Sequence, residues 1–198
     1  LDNYVAVFEQ RRERSRWLQR NAPRTKAAMR LFCFPGLWEN PAAFDEWPAW
    51  MGKDVDVCII ERTGYGQSRA RTPVRRIDDM MEFLVPAIEA HLDRPFVFVG
   101  HNIGSILMFE VTRSLRRRGK PLPAHLVVCA TNAPHLYWSG PTHIVTKEKL
   151  IEGIQISEVK LDDDVPDDVL MAEASMMATY MYTQEPLLDM PISAIIGK

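Results

Sequence analysis

Little in this sequence points to a specialised environment. No apolar run among the 198 residues approaches the roughly 20 needed to cross a bilayer, and no apolar signal-like core follows the N-terminus. Neither a membrane span nor a secretory signal is therefore expected in this stretch. Cysteine is scarce: Cys33, Cys58 and Cys129 are odd in number, far apart and set in apolar, strand-like runs. That pattern suits small buried side chains better than a disulfide or zinc framework, so no metal is expected, and a reducing cytoplasm is the expected compartment. Charge of one sign is also lacking. A formal net charge of −2 argues against nucleic acid as the main partner, because a phosphate-backbone binder normally carries a basic excess.

Charge is nevertheless uneven along the chain. Arg11, Arg12, Arg14, Arg16, Arg20, Arg24, Lys26 and Arg30 face only Glu13 in their stretch, and five aspartates crowd Leu161 to Asp168. The basic stretch reads as an N-terminal arm over residues 1–30, either solvated or used to dock an acidic protein. The chain begins at Leu1 rather than Met and stops just after a strand-like run, so flanking chain is expected at both ends.

Short β-branched runs alternate with helix-period segments, which is the pattern of an α/β domain with a mainly parallel sheet over residues 31–198. Strands are expected at Leu31 to Phe34, Val55 to Ile60, Phe96 to Val99, Leu126 to Ala130 and Ile192 to Ile196. Ile77, Met80, Met81, Leu84, Val85, Ile88 and Leu92 share one helix face, with Asp78 and Asp79 at its positive end. Leu107, Val111 and Leu115 mark a second helix from about Ile103 to Arg118, which Gly119 stops. From about 140 to 186 the chain turns polar, acidic and Met-rich, and a connection that long is read as a helical lid over one end of the sheet. Met171, Met176, Met177 and Met181 either fill its core or line an acyl tunnel.

The most informative stretch is Phe96-Val97-Phe98-Val99-Gly100-His101-Asn102-Ile103-Gly104-Ser105. A strand here turns sharply into a helix, with glycines on both sides of position 102. That is the frame of a nucleophile elbow, G-x-S-x-G, with asparagine where serine belongs. Together with Leu31 to Pro35, Thr63-Gly64-Tyr65-Gly66, Leu92 to Phe96, Leu115 to Gly119, Pro123 to Leu126 and Ala133-Pro134-His135-Leu136, it resembles the type II thioesterases. These are stand-alone α/β-hydrolases of polyketide and non-ribosomal peptide pathways, and the resemblance runs from about Arg16 to Gly197.

The resemblance implies an α/β-hydrolase fold, with helices on both faces of the sheet, and a Ser, Asp, His triad. It also implies an acyl thioester substrate delivered by an acyl or peptidyl carrier protein. The acyl group rides on the carrier's phosphopantetheine arm, so no cofactor of the protein's own is implied. Carried over by position, the nucleophile is Asn102, whose delocalised amide cannot replace an activated hydroxyl. The acid and histidine would fall beyond Lys198. After the first strand the family reads FPHAGG or FPYAGG, whereas this chain has Phe34-Pro35-Gly36-Leu37-Trp38-Glu39. Gly36, Leu37 and Ile103 take the oxyanion positions, where Trp38 adds bulk and Glu39 adds negative charge to a site meant to stabilise it. Two altered parts fit a natural loss or replacement of hydrolysis better than a single inactivating substitution.

Ser105, one turn beyond the elbow, is expected to point beneath it. His101 matches a packed structural neighbour in the family, and His135, after a strand end, is a candidate pocket residue. Two functions follow. One is an enzyme acting on carrier-bound acyl groups, with Asn102 orienting a carbonyl or enolate. The other is a non-catalytic binder of the carrier or its acyl chain.

Overall fold

β-branched and aromatic residues set the strands, and the computed structural model, which describes residues 16–136 and 165–196, assembles them into one six-stranded sheet. The strands are β1 (Leu18–Gln19), β2 (Met29–Phe34), β3 (Val55–Ile60), β4 (Phe96–His101), β5 (His125–Cys129) and β6 (Ile192–Ile195), in spatial order β1-β3-β2-β4-β5-β6. All neighbours run parallel except β1, which pairs antiparallel with β3 through Leu18 opposite Ile60. The five expected strands are present within a residue or two of their expected ends, and β1 is additional.

Four α-helices and three short 3-10 turns complete the described fold, the α-helices being α1 (Trp47–Trp50), α2 (Ile77–Glu89), α3 (Ile103–Arg117) and α4 (Asp167–Thr179). Asp78 and Asp79 occupy the first turn of α2, where they complement the helix dipole. Gly119, at φ +62°, ends α3: its N–H bonds the Arg116 carbonyl while Lys120 N–H reaches Leu115, so the last carbonyls are satisfied.

Alternation along the strands divides the interior in two. Phe32, Phe34, Phe96, Phe98, Cys58 and Ile60 point to one face and pack against Met80, Leu84 and Ile88 of α2 and Leu107, Val111 and Leu115 of α3. The rings of Phe32, Phe34, Phe96 and Phe98 meet edge-on or tilted at 5.1–5.8 Å. Leu31, Cys33, Val57, Ile59 and Val99 point to the other face, against Phe44 and Trp47. Helices on both faces were expected. Among the described residues the long helices all contribute to the first core, and the second is covered by the short segment 41–50.

The boundary expected at residue 30 does not separate an arm from a core. Trp17 is buried and stacks on Phe83 at 5.0 Å, and β1 is part of the sheet. Asp56, fully buried on β3, explains why basic residues precede β2. It accepts from Arg20 at 2.7 Å, from Arg30 at 3.0 Å and from the Arg24 N–H at 3.0 Å. A buried carboxylate needs such partners, so these arginines serve the fold. Arg11, Arg12 and Arg14 lie outside the described residues. A further basic cluster at the end of α3 is also engaged: Glu185 binds Arg113, Arg116 and Arg117, Arg118 meets Glu89, and Arg113 is itself buried.

The expected lid falls partly outside the described residues, since 137–164 are not among them, but α4 belongs to it. Met176 and Tyr180 enter the main core, Met171 and Met177 are half-buried, and Met181 is exposed. Val169 sits over Gly64, which has φ +93° and where a Cβ would lie 2.3 Å from Val169 Cγ2. The strongest tie is polar. Glu173 of α4 accepts from Arg62 Nε at 2.6 Å, from the Trp38 N–H at 2.7 Å and from the Tyr65 hydroxyl at 3.2 Å. Arg62 in turn donates to the carbonyls of Pro35 and Gly36 at 2.8 and 2.7 Å. Burial and the adjacent Glu173 carboxylate both push the Tyr65 phenol up, keeping it a donor. Removing one member leaves the other charged and buried, so Glu173→Ala is expected to cost about 3–5 kcal/mol in urea unfolding. Replacing both, as Arg62→Met with Glu173→Leu, should restore much of that loss.

Candidate functional site

Strand order locates the site. β3 lies on one side of β2 and β4 on the other, so the connections leaving β2 and β4 diverge and open a crevice at the carboxyl ends of the strands. The loop Pro35 to Glu39 and the elbow at Asn102 meet there. Asn102 has φ 50° and ψ −123°, a conformation that side-chain-bearing residues rarely adopt, and it is the residue from which α3 starts. Its N–H donates to the Cys129 carbonyl at 2.9 Å, tying the turn to the end of β5.

The flanking glycines are packing requirements. A Cβ on Gly100 would lie 2.5 Å from Ser105 Cα, and one on Gly104 would lie 2.1 Å from the Phe34 carbonyl oxygen. Ser105 is buried and donates to the Gly100 carbonyl at 2.7 Å, beneath the turn as expected.

At two of the expected oxyanion positions the backbone N–H already holds an oxygen of the protein. The Ile103 N–H donates to Asn102 Oδ1 at 2.7 Å, so the side chain at the nucleophile position caps the helix it begins. The Gly36 N–H donates to Glu39 Oε2 at 2.5 Å. The N–H groups expected at the oxyanion positions Gly36 and Ile103 are thus occupied by the side chains of Glu39 and Asn102, two of the residues in which this chain departs from the family pattern. Leu37 is half-buried and packs against the main core. Trp38, at φ 56°, leans on Leu170 and Ala174 of α4.

Glu39 also meets His101. Its Oε2 is 3.0 Å from His101 Nδ1, and the imidazole is 45% exposed against 26% for the carboxylate. Burial opposes ionisation of Glu39, but His101 and the Gly36 N–H outweigh it and hold the carboxyl below its ordinary range. Glu39 in turn raises the His101 imidazole above its ordinary value, against the opposing effect of burial. His101, expected to be packed and hydrogen-bonded, is hydrogen-bonded to a carboxylate, but its ring is half-exposed.

His135 is not brought to the elbow. It is exposed, lies in a short turn over Pro134–Leu136, and faces Tyr182 edge-on at 6.1 Å. The pocket it lines holds about 250 Å³, and its walls include Phe109, Arg113 and Tyr182 but not Asn102. Sequence reasoning also missed Arg62 and Glu173. A lone carboxylate among Val169, Leu170, Ala172, Ala174 and Met176 was a usable signal, since a charge on an apolar helix face requires a buried partner.

The elbow, the crevice and the parallel sheet define an α/β-hydrolase, and comparison with known proteins narrows the class. A family model described as a thioesterase domain matches residues 29–183. The chain is 27% identical over 193 residues to the gramicidin S biosynthesis protein GrsT of Aneurinibacillus migulanus, spanning 93% of this chain and 75% of that protein. The type II thioesterase BorB of the borrelidin biosynthetic cluster superposes with a TM-score of 0.81 at 25% identity, over 91% of this chain and 77% of that one. RedJ, the thioesterase of the prodiginine pathway in Streptomyces coelicolor, gives 0.77 at 32% identity, over 85% and 66%. The chain belongs to the type II thioesterases of non-ribosomal peptide and polyketide biosynthesis.

The Glu39–His101 pair has a definite pH signature. The contribution of His101 is fully present below its ordinary value of 6.5 and is lost as pH rises through the raised folded-state value. That of Glu39 is present above 4.5 and is lost as pH falls through the lowered value. The pair therefore stabilises most between those two ordinary values. An NMR titration should place the His101 midpoint above 6.5, and Glu39→Gln should bring it back down; an unchanged midpoint would exclude the contact.

Proposed function

We propose that this protein handles acyl groups carried as thioesters on the phosphopantetheine arm of an acyl or peptidyl carrier protein, with the serine route of hydrolysis closed. Family membership supports the substrate class. The observation that carries the closed route is Asn102 itself, seated at the elbow with its carbonyl on the Ile103 N–H. An amide nitrogen has no nucleophilic lone pair to offer, so no acyl-enzyme forms there. The same N–H, which an oxyanion would need, is already paired. These occupied donors also support a second reading, in which the protein holds a loaded carrier without turning it over.

Intact-mass measurement after incubation with an activated acyl thioester is expected to show no adduct, and mass added at Asn102 or Ser105 would overturn this reading. Asn102→Ser alone should give little hydrolysis. Glu39 would still hold the Gly36 N–H, and one lost oxyanion donor typically costs about a hundredfold or more. A single mutant with rates normal for a type II thioesterase would refute the role given to the loop.

Carrier proteins of these pathways are generally acidic, so encounter is expected to use positive charge on the basic N-terminal stretch. Arg20, Arg24 and Arg30 are held within the fold, which makes Arg11, Arg12 and Arg14 the residues to reverse. Titration with loaded carrier should show affinity that falls with salt and with these reversals. Affinity that ignores both would remove the electrostatic docking.

A further inference from the structure

His101 and Glu39 form an arrangement that the type II thioesterase pattern does not contain: a carboxylate bound to one imidazole nitrogen, at the mouth of the crevice and next to the elbow. An ionised carboxylate only accepts hydrogen bonds, so Nδ1 carries the proton and donates to Glu39. In the neutral ring the lone pair is then on Nε2, which has no hydrogen-bond partner among the described residues. This is the relation between a general base and its orienting carboxylate in a hydrolytic triad, reached here with different residues.

Asn102 supplies the remaining part. Because the Ile103 N–H must bond an acceptor, it selects Oδ1, and the Nδ2 amide hydrogens are turned away from the helix. Nδ2 likewise has no partner among the described residues. All three groups surround Gly36: a Cβ built there would lie 2.6 Å from His101 Nδ1, 3.0 Å from Glu39 Oε2 and 3.4 Å from Asn102 Cβ. Glycine at 36 leaves the room in which they meet.

Resting on the carrier-thioester reading above, we infer that Glu39 and His101 form a replacement dyad that activates water directly on the thioester, with Asn102 Nδ2 as donor to the oxyanion. His101 Nε2 takes a proton from water as the water oxygen bonds to the thioester carbonyl carbon. The carbonyl π electrons move to oxygen, where Asn102 Nδ2–H stabilises the charge. The imidazolium that forms lies beside Glu39, which keeps the site near neutrality. Collapse breaks the C–S bond, and His101 returns the proton to the departing sulfur, giving a carboxylic acid and the free phosphopantetheine thiol. No covalent intermediate arises.

Three further ionisable groups lie around the dyad: Arg62 just after β3, whose charge helps hold the Glu39 carboxyl down, Glu173 on α4 behind Trp38, and Cys129 at the end of β5. Arg62 and Glu173 compensate each other, and burial, with Glu39 nearby, raises the Cys129 thiol and keeps it neutral.

The test uses the full-length protein with an acyl-loaded carrier protein and with an acyl-N-acetylcysteamine thioester. Slow turnover is expected, rising with pH through a single midpoint above 6.5. His101→Ala should reduce it about a hundredfold or more while carrier binding and the circular dichroism spectrum are retained. Glu39→Gln should slow turnover and move the midpoint to lower pH, and His125→Ala, on β5 and bonded to Ser193, should change neither. Turnover unaffected by His101→Ala, or a midpoint unmoved by Glu39→Gln, overturns the dyad. A loaded carrier that binds without turnover overturns the dyad and leaves the carrier reading standing. If neither thioester binds or reacts, the carrier reading falls and the dyad with it.

Discussion

Arg62 is the point on which the crevice depends. Its guanidinium lies fully buried just after β3 and binds two separate pieces of chain: the loop after β2 through the carbonyls of Pro35 and Gly36, and α4 through Glu173. A buried charge cannot stand without partners, so these pieces must converge wherever Arg62 lies. Trp38 completes the circuit by giving its N–H to the same Glu173. The loop that carries Glu39 is therefore fixed from behind by the lid helix, and the positive φ at Trp38 is held in place by contacts on both sides of that residue.

The electrostatic character of the crevice follows from that fixation. A type II thioesterase uses backbone N–H groups to receive developing negative charge. In this chain the same positions face a carboxylate and an amide oxygen of the protein itself. Beside them stands the half-exposed imidazole of His101, held by the same carboxylate.

Much of this was legible beforehand, for identifiable reasons. The strands at Val55, Phe96 and Ile192 and the helix at Ile77 announce themselves through periodicity, and the elbow through two glycines at fixed spacing. Glu39 could be recognised as a foreign charge in the oxyanion loop. Its pairing with His101 could not, because 62 residues separate them and only the adjacency of β2 and β4 brings them together. The basic stretch before β2 misled for a related reason: its partner, Asp56, looks like an ordinary alternating polar residue of β3 until its burial is seen. β1 is two residues long, too short for any periodic signal, and is held by pairing and by Trp17.

The contact between Gly104 and the Phe34 carbonyl bears on how such a protein persists over evolutionary time. Selection for a stable domain alone preserves both elbow glycines, because any side chain there would separate α3 from the sheet. The residue between them carries no such packing duty, and asparagine suits it by capping the helix with its own oxygen. A lineage can therefore change its chemistry at that position while keeping the frame intact. The frame is a record of architecture, and the residue it encloses is free to follow function.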